Sequence, residues 1–319
     1  MRKLKVRNII VAEDYGVDKM DYKKIQLPVS IQDKEIEICL GNFDGIHKGH
    51  QKLIEKTVEV ARKENVTSAF FTFSPNPRKF FSKDRVYQLT SIEDRKELVN
   101  EYNIDLFLEF EFNELTMNLS PSEFVEKVLI PLNVKYVICG FDYTFGKFGA
   151  GKVQDLIDLG KNKYEVIMID EFEYKDSKVS TTRIMKELSN GNLPLVNKLL
   201  GREYSIVGKV VKGLNNGKKL GFPTINIDNG EYFLPKNGVY GLEVVINGKK
   251  IRGIGNVGTH PTISKLEKPI LEIHLLDFSK EIYGEFVKIS FKKYLREERK
   301  FNNVDDLKKQ IKIDTFSNF

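Results

Sequence analysis

Between Cys39 and His50 the chain reads Cys-Leu-Gly-Asn-Phe-Asp-Gly-Ile-His-Lys-Gly-His, and the rest of the sequence is organised around this stretch. Ahead of it, Glu35 to Leu40 alternates polar and apolar residues, as a strand does. Behind it, Leu53, Ile54, Val58 and Ala61 recur at helical spacing, and Asn65 supplies a stop. A strand therefore runs into a glycine-rich turn, and a helix leaves that turn carrying two histidines. His47 and His50 are three apart, which puts them on one face of the first helical turn. Gly45 and Gly49 lack a Cβ, so a ligand can approach the backbone closely. The helix N-terminus adds unpaired N–H groups and partial positive charge, which suits a phosphate. Two histidines at a helix start can also serve only as a cap or as packing. Yet four histidines occur in the whole chain, and two of them fall in this one turn. Strand, turn and helix agree, so phosphate is the better reading.

The turn resembles the HxGH signature of the nucleotidyltransferase superfamily. Its longer form, GNFDGIHKGH, is close to the version in bacterial bifunctional riboflavin kinase/FAD synthetases. That resemblance implies transfer of an adenylyl group without a covalent enzyme intermediate. A substrate phosphate attacks the α-phosphorus of ATP, and His47 and His50 are the expected catalytic residues, stabilising charge on the transferring phosphoryl oxygens. Gly41, Phe43, Asp44, Gly45 and Gly49 are expected to bind ATP or substrate on the same ground.

The 319 residues leave room for about two domains, each with its own core. Hydrophobic content of 41% and charged content of 30% describe an ordinary globular chain. The net charge of +6 is mild, with Lys and Arg interspersed among Asp and Glu. It suits anionic nucleotides and gives little ground for a nucleic-acid partner. No apolar run approaches the roughly 20 residues that span a bilayer, so no membrane partner is expected. Met1-Arg2-Lys3-Leu4-Lys5 is followed by no long apolar region, so no secretory signal is read and a cytoplasmic protein is expected. Two cysteines, Cys39 and Cys139, cannot build a disulfide framework or a zinc site alone. Each sits near the end of an apolar strand, and buried reduced thiols are expected on neighbouring strands.

Residues 1–34 offer little. Ser68 to Phe73 reads as a buried strand ending at Ser74-Pro75-Asn76-Pro77, where two prolines enforce an extended loop. Further elements are a helix over Ile92 to Tyr102 and a strand over Ile104 to Phe110. Ser120-Pro121-Ser122-Glu123 then starts a helix, Ser capping and Pro first. Strand Lys135 to Cys139 leads into a polar loop, Gly140 to Lys147, which holds the binding candidates Asp142, Phe145 and Gly146. A helix over Val153 to Leu159 and a strand over Val166 to Ile169 follow. About five strands alternating with helices predict a Rossmann-like α/β domain, a parallel sheet with helices on both faces. Loops after strand ends are where such sheets bind ligands. Ser180, Thr181, Thr182 and Arg183 open another helix, Ser180 capping it, and are further binding candidates. The boundary is expected here, giving domains 1–186 and 187–319.

From Ser205 the chain is β-rich, with strands over Ser205 to Lys212, Val239 to Ile246, Ile251 to Asn256, Ile270 to Leu276 and Phe286 to Phe291. Asn247-Gly248 is a hairpin turn, and helical spacing returns only after Asn303. A small antiparallel β-barrel or sandwich with a terminal helix is predicted. Within it, Lys218-Lys219-Leu220-Gly221-Phe222-Pro223-Thr224-Ile225-Asn226 joins a basic glycine loop to a strand. Thr224 and Asn226 point to one face of a regular strand, and neutral oxygens beside nucleotide phosphates suit Mg²⁺.

The ordered set around Pro223-Thr224-Ile225-Asn226, Gly238-Val239-Tyr240, Asn256 to Thr262, Glu272-Ile273-His274 and Tyr294 to Phe301 resembles the riboflavin kinase module, a small β-barrel. The resemblance implies MgATP binding at Thr224 and Asn226 and a general base at Glu272, which accepts the ribityl hydroxyl proton as that oxygen attacks the γ-phosphorus. Gly221, Pro223, Tyr240 and Arg296 are the further binding candidates, with Mg²⁺ and ATP as the implied cofactor and co-substrate. Without this pattern, Glu272 would read as a solvent-facing strand residue, and His274, on its face, reads as structural. The expected activities are phosphorylation of riboflavin to FMN and adenylylation of FMN to FAD. Rival readings are a nucleotidyltransferase for another phosphorylated small molecule, or a flavin- or RNA-binding regulatory protein with a silent site. The family pattern is broken at Ser74 and Asn76 in the proline loop, and at Met185, where the family carries Arg.

Overall fold

The computed structural model describes residues 20–30, 32–82, 84–213, 222–259, 269–299, 301 and 303–316. Two compact units meet in sequence between Arg183 and Ile184. In the first, six parallel strands are ordered β1-β4-β3-β2-β5-β8. They are β1 (Asp21–Ile25), β2 (Ile36–Leu40), β3 (Thr67–Ser74), β4 (Leu106–Glu111), β5 (Val134–Gly140) and β8 (Glu165–Ile169). A small hairpin, β6 (Thr144–Phe145) and β7 (Gly151–Lys152), interrupts the series.

Every residue of β2 is buried, as expected of a central strand covered on both faces. One face carries Cys39, Phe70, Phe107 and Ile138 under α1 (Lys48–Glu64) and α3 (Ile92–Asn100), with α2 (Arg78–Phe81) between them in sequence. The other carries Leu40, Ala69, Phe71, Val137 and Cys139 with α4 (Pro121–Phe124), the π-helical turn Val125–Leu129 and α5 (Val153–Leu159). Each fully buried Val, Leu, Ile or Phe among them contributes about 1.5–3 kcal/mol. Cys39 and Cys139 thus lie on paired strands, both fully buried, but face opposite sides of the sheet. Burial pushes both thiols up to about 12.

The local signals act as their chemistry dictates. Ser120 Oγ accepts from the Glu123 N–H at 3.2 Å while the Glu123 carboxylate accepts from the Ser120 N–H at 2.9 Å. Asn65 ends α1 in the left-handed region at φ 55°. Two segments depart from expectation. Strand β1 arises within a stretch that carries little sequence signal, because its DYKKI side chains are mostly exposed and lack apolar alternation. Helix α2 starts one residue beyond the proline loop, because Pro77 caps it from a helical conformation and needs no N–H there.

Helix α6 (Thr181–Ser189) contains the division between the units, and α7 (Leu193–Leu200) follows it. The second unit is a closed antiparallel barrel ordered β10-β13-β12-β11-β14-β9. Its strands are β9 (Ser205–Val211), β10 (Thr224–Asp228), β11 (Gly238–Ile246), β12 (Lys249–Thr259), β13 (Pro269–Leu275) and β14 (Phe286–Arg296). Leu242, Val244, Leu271, Ile273, Ile289 and Phe291 fill the core. Asn247 and Gly248 turn between β11 and β12 at φ 49° and 77°, both in the left-handed region that this hairpin requires. Helix α8 (Val304–Phe316) ends the described chain.

Candidate active sites

The first site forms where β2 gives way to α1. Phe43 and Ile46 hold φ of 50° and 40°, a strained backbone that sharpens the turn. Gly41 makes room for it: a Cβ there would lie 2.9 Å from the Phe43 ring. His47 caps α1, its Nδ1 accepting from the His50 N–H at 3.3 Å. A neutral His47 therefore carries its proton on Nε2. The two imidazoles stack with centroids 3.6 Å apart and planes 17° apart, so both present to one place at the head of the helix.

A layer beneath fixes this turn. The Asp44 carboxylate accepts from the N–H groups of Leu89 and Thr90 at 2.9 and 3.0 Å. Burial raises its pKa, while Arg95 and these hydrogen bonds act in the opposite direction. Asp44 and Gly45 thus support the turn from below rather than lining the cavity above it. Arg95, 2% exposed, donates to the Asn42 carbonyl and to Thr72 Oγ1. Its signal in sequence is a charge on the apolar face of α3, three residues after Ile92 and four before Val99.

A cavity of about 500 Å³ opens over the histidines. Gly41, Phe43, Gly49, His47 and His50 line it from the turn, and Asn76, Pro77 and Arg78 from the loop after β3. Asp142 and Tyr143 enter from the loop after β5, and Ser180, Thr181 and Thr182 from the start of α6. Thr181 Oγ1 donates to the Asp44 carbonyl at 2.8 Å, tying α6 to the turn. Lys178, which stands in no motif of the sequence, pairs with Asp142 and sits 4.7 Å above the Phe141 ring. Its partner lies 36 residues away, so no local pattern announces it. Phe145 and Gly146 are set below this loop: Phe145 packs on Phe124, and Gly146 at φ 72° leaves no room for a Cβ beside Pro121. Arg183 is turned away, donating to the carbonyls of Tyr174, Ser177 and Lys178.

The second site is on the outside of the barrel. Leu271, Ile273 and Leu275 point into the core, so Glu272 and His274 face outward. Pairing across β10, β13 and β12 sets Asn226, Glu272 and Asn256 on one rung. Thr224, His274 and Ile254 occupy the next. A cavity of about 390 Å³ is lined by Thr224, Glu272, His274, Asn256, Arg296 and residues of α8. Asn256 Nδ2 donates to Glu298 Oε1 at 2.8 Å, and Arg296 grips Asp314 of α8 through Nε and Nη2 at 3.1 and 2.8 Å. Pro223 lies on an adjoining cavity of about 860 Å³.

Tyr240 corrects the expectation made for it. It is 0% exposed, packs edge-on against Phe291 and Tyr294, and donates its hydroxyl to the Lys236 carbonyl. Strand alternation turns it inward with Leu242 and Val244, and its neighbour Val239 reaches the cavity instead. Gly221 lies outside the described residues.

Residues 29–183 match the FAD synthetase family and residues 200–317 the riboflavin kinase family. A bifunctional riboflavin kinase/FMN adenylyltransferase from Bacillus subtilis (strain 168) is 36% identical, the match covering 87% of this chain and 89% of that protein. The Escherichia coli (strain K12) protein of that name is 32% identical over 87% of this chain and 90% of its own length. A crystal structure described as a macrolide-efflux protein from Streptococcus pneumoniae superposes with a TM-score of 0.82 and 29% identity, covering 92% of this chain and 97% of that one. Among the described residues no helix is long and apolar enough to cross a membrane. With its two units, their two cavities and this similarity along nearly the whole length, the chain belongs to the bifunctional riboflavin kinase/FMN adenylyltransferase family.

Proposed function

We infer that the barrel unit phosphorylates riboflavin to FMN and that the parallel-sheet unit adenylylates FMN to FAD. Residues 1–186 are assigned to adenylylation and 187–319 to phosphorylation. The observation that carries the first assignment is the stacked His47–His50 pair at the head of α1, where three loops meet. An FMN phosphate oxygen attacks the α-phosphorus of ATP there. The new O–P bond forms as the bond to the β-phosphate bridging oxygen breaks, and pyrophosphate leaves. The imidazoles and the N–H groups of the helix start stabilise the charge on the α-phosphoryl oxygens.

At the barrel, Glu272 takes the proton of the ribityl hydroxyl as that oxygen bonds the γ-phosphorus, and ADP leaves. Thr224 and Asn226 present neutral oxygen donors of the kind that share Mg²⁺ with nucleotide phosphates. A Cβ at Gly213 would lie 2.0 Å from the Asn226 amide nitrogen, so glycine there leaves the amide its place. The ion would neutralise phosphate charge; the residues' own part is to orient the nucleotide beside Glu272. We also infer a cytoplasmic protein, since both reactions consume ATP.

Incubation with riboflavin, ATP and Mg²⁺, followed by chromatography, tests this reading. Wild type yields FMN and FAD, and the His47→Ala/His50→Ala double variant accumulates FMN alone. Glu272→Gln converts added FMN to FAD but makes no FMN from riboflavin. A double variant forming FAD at the wild-type rate would place adenylylation elsewhere.

A further inference from the structure

His274 stands between the two barrel cavities: it and Phe222 line both. Its Nδ1 lies 2.9 Å from the Pro223 carbonyl oxygen. A carbonyl only accepts, so Nδ1 carries the hydrogen, and both the neutral Nδ1–H tautomer and the imidazolium satisfy this bond. Proline has no N–H, so the residue that leads into β10 cannot be pinned through its nitrogen. The histidine holds it by the carbonyl instead. The next residue is Thr224, which pairs directly opposite His274. Two positions along the same outward face of β13 is Glu272, paired with Asn226. The Phe222 ring meets the imidazole edge-on, with ring centroids 5.3 Å apart.

We infer that His274 is a positioning residue for riboflavin phosphorylation: through its Nδ1–H bond to Pro223 it fixes where Thr224 stands relative to Glu272. The inference rests on the placement of the kinase site at Glu272 given above. Nδ1 is committed to the carbonyl, and Glu272 takes the proton, so His274 acts on geometry and not on proton transfer. The bond ties one end of the nucleotide-binding segment to the strand that carries the base. Without it, Pro223 and Thr224 can move as a unit while Glu272 stays fixed on its strand.

The asparagine amide nitrogen occupies nearly the place of histidine Nδ1, and the glutamine nitrogen that of Nε2. His274→Asn therefore keeps the donor to Pro223, and His274→Gln removes it. The measurement is steady-state formation of FMN from riboflavin in the full chain, with the KM for MgATP and kcat taken separately. Loss of one neutral hydrogen bond predicts a KM for MgATP about tenfold higher in His274→Gln, with kcat changed far less. His274→Asn should return the constant to within about twofold of wild type. Its pH profile should keep the wild-type limbs, because the bond needs only an N–H. Adenylylation of added FMN is the internal control, unchanged in both proteins. Equal kinetics in the two variants would overturn the inference, as would an acid limb lost in His274→Asn. A Gln variant whose barrel no longer melts cooperatively would also overturn it, since the bond would then hold the fold. Glu272→Gln, assayed in parallel, separates the two levels. If that protein still makes FMN, the site placement fails; if it does not and His274→Gln behaves as wild type, only the role of His274 fails.

Discussion

Arg95 Nη1 donates to the Asn42 carbonyl at 3.0 Å, so a buried cation on α3 grips the residue just ahead of the strained Phe43. The same guanidinium lies 4.0 Å from the Asp44 carboxylate. Removing it leaves Asp44 buried without its cation and releases the turn that carries the histidines. Arg95→Met should cost about 3 kcal/mol of stability, read as a lower denaturant midpoint for the parallel-sheet unit. FAD formation should fall well below FMN formation in that protein. Equal losses in both activities would mean that Arg95 serves global folding only.

Met185 stands where the family pattern carries Arg, and Arg183 cannot replace it because its guanidinium is already spent on three carbonyls. Met185→Arg restores a planar donor fork suited to phosphate. The KM for ATP in FAD formation should drop, with the kinase step unchanged. No change in either step would make the methionine a packing residue.

Glu37 on β2 is 0% exposed, and neither carboxyl oxygen finds a hydrogen-bond partner among the described residues. Burial pushes it up to about 8, against the pull of Lys56. The folded pKa therefore exceeds the unfolded one, so the folded state keeps a proton that the unfolded chain has lost. Stability attributable to this group is full below about 4.5, falls as pH rises toward about 8, and is level above. Glu37→Gln should flatten that slope. Urea midpoints at about pH 5 and about pH 9 check it: the variant should match wild type at the lower pH and exceed it at the higher.

The Tyr143 hydroxyl is likewise buried with no partner among the described residues, while its ring stacks on Phe145 at an interplanar angle of 7°. Burial raises the pKa of this phenol. Tyr143→Phe keeps the ring and discards the unpaired hydroxyl, so it should raise stability by about 1 kcal/mol. A melting temperature below wild type would show that the hydroxyl is satisfied in solution.

What could be read in the sequence divides along physical lines. The Cys39–His50 turn and the Ser120 helix start are local, since each is fixed by neighbours a few residues away, and both take the expected form. Strands β3 and β4 were legible from their apolar runs, whereas β2 was legible from an alternation that the structure overrides by burying all five residues, Glu37 included. Strand β1 was not, because an edge strand with exposed side chains owes its place to pairing with Leu106–Phe110, far along the chain. Helix α7 is eight residues long with a proline in its first turn, too short for periodicity to stand out. Lys178 and Arg95 act through partners 36 and 53 residues away, and Tyr240 sits in a motif yet obeys the inward alternation of its strand.

The placement of the thiols has a practical corollary. Both cysteines of the chain are in the parallel-sheet unit, on opposite faces of two adjoining strands, and the barrel contains neither. An alkylating reagent is therefore a unit-selective clock. Slow uptake of two labels records opening of the adenylylating half alone, and a single label records one face of its sheet shedding its helices while the other stays covered. The barrel is silent in such an experiment, so the opening of the parallel-sheet unit can be timed by itself without a tag or an introduced probe.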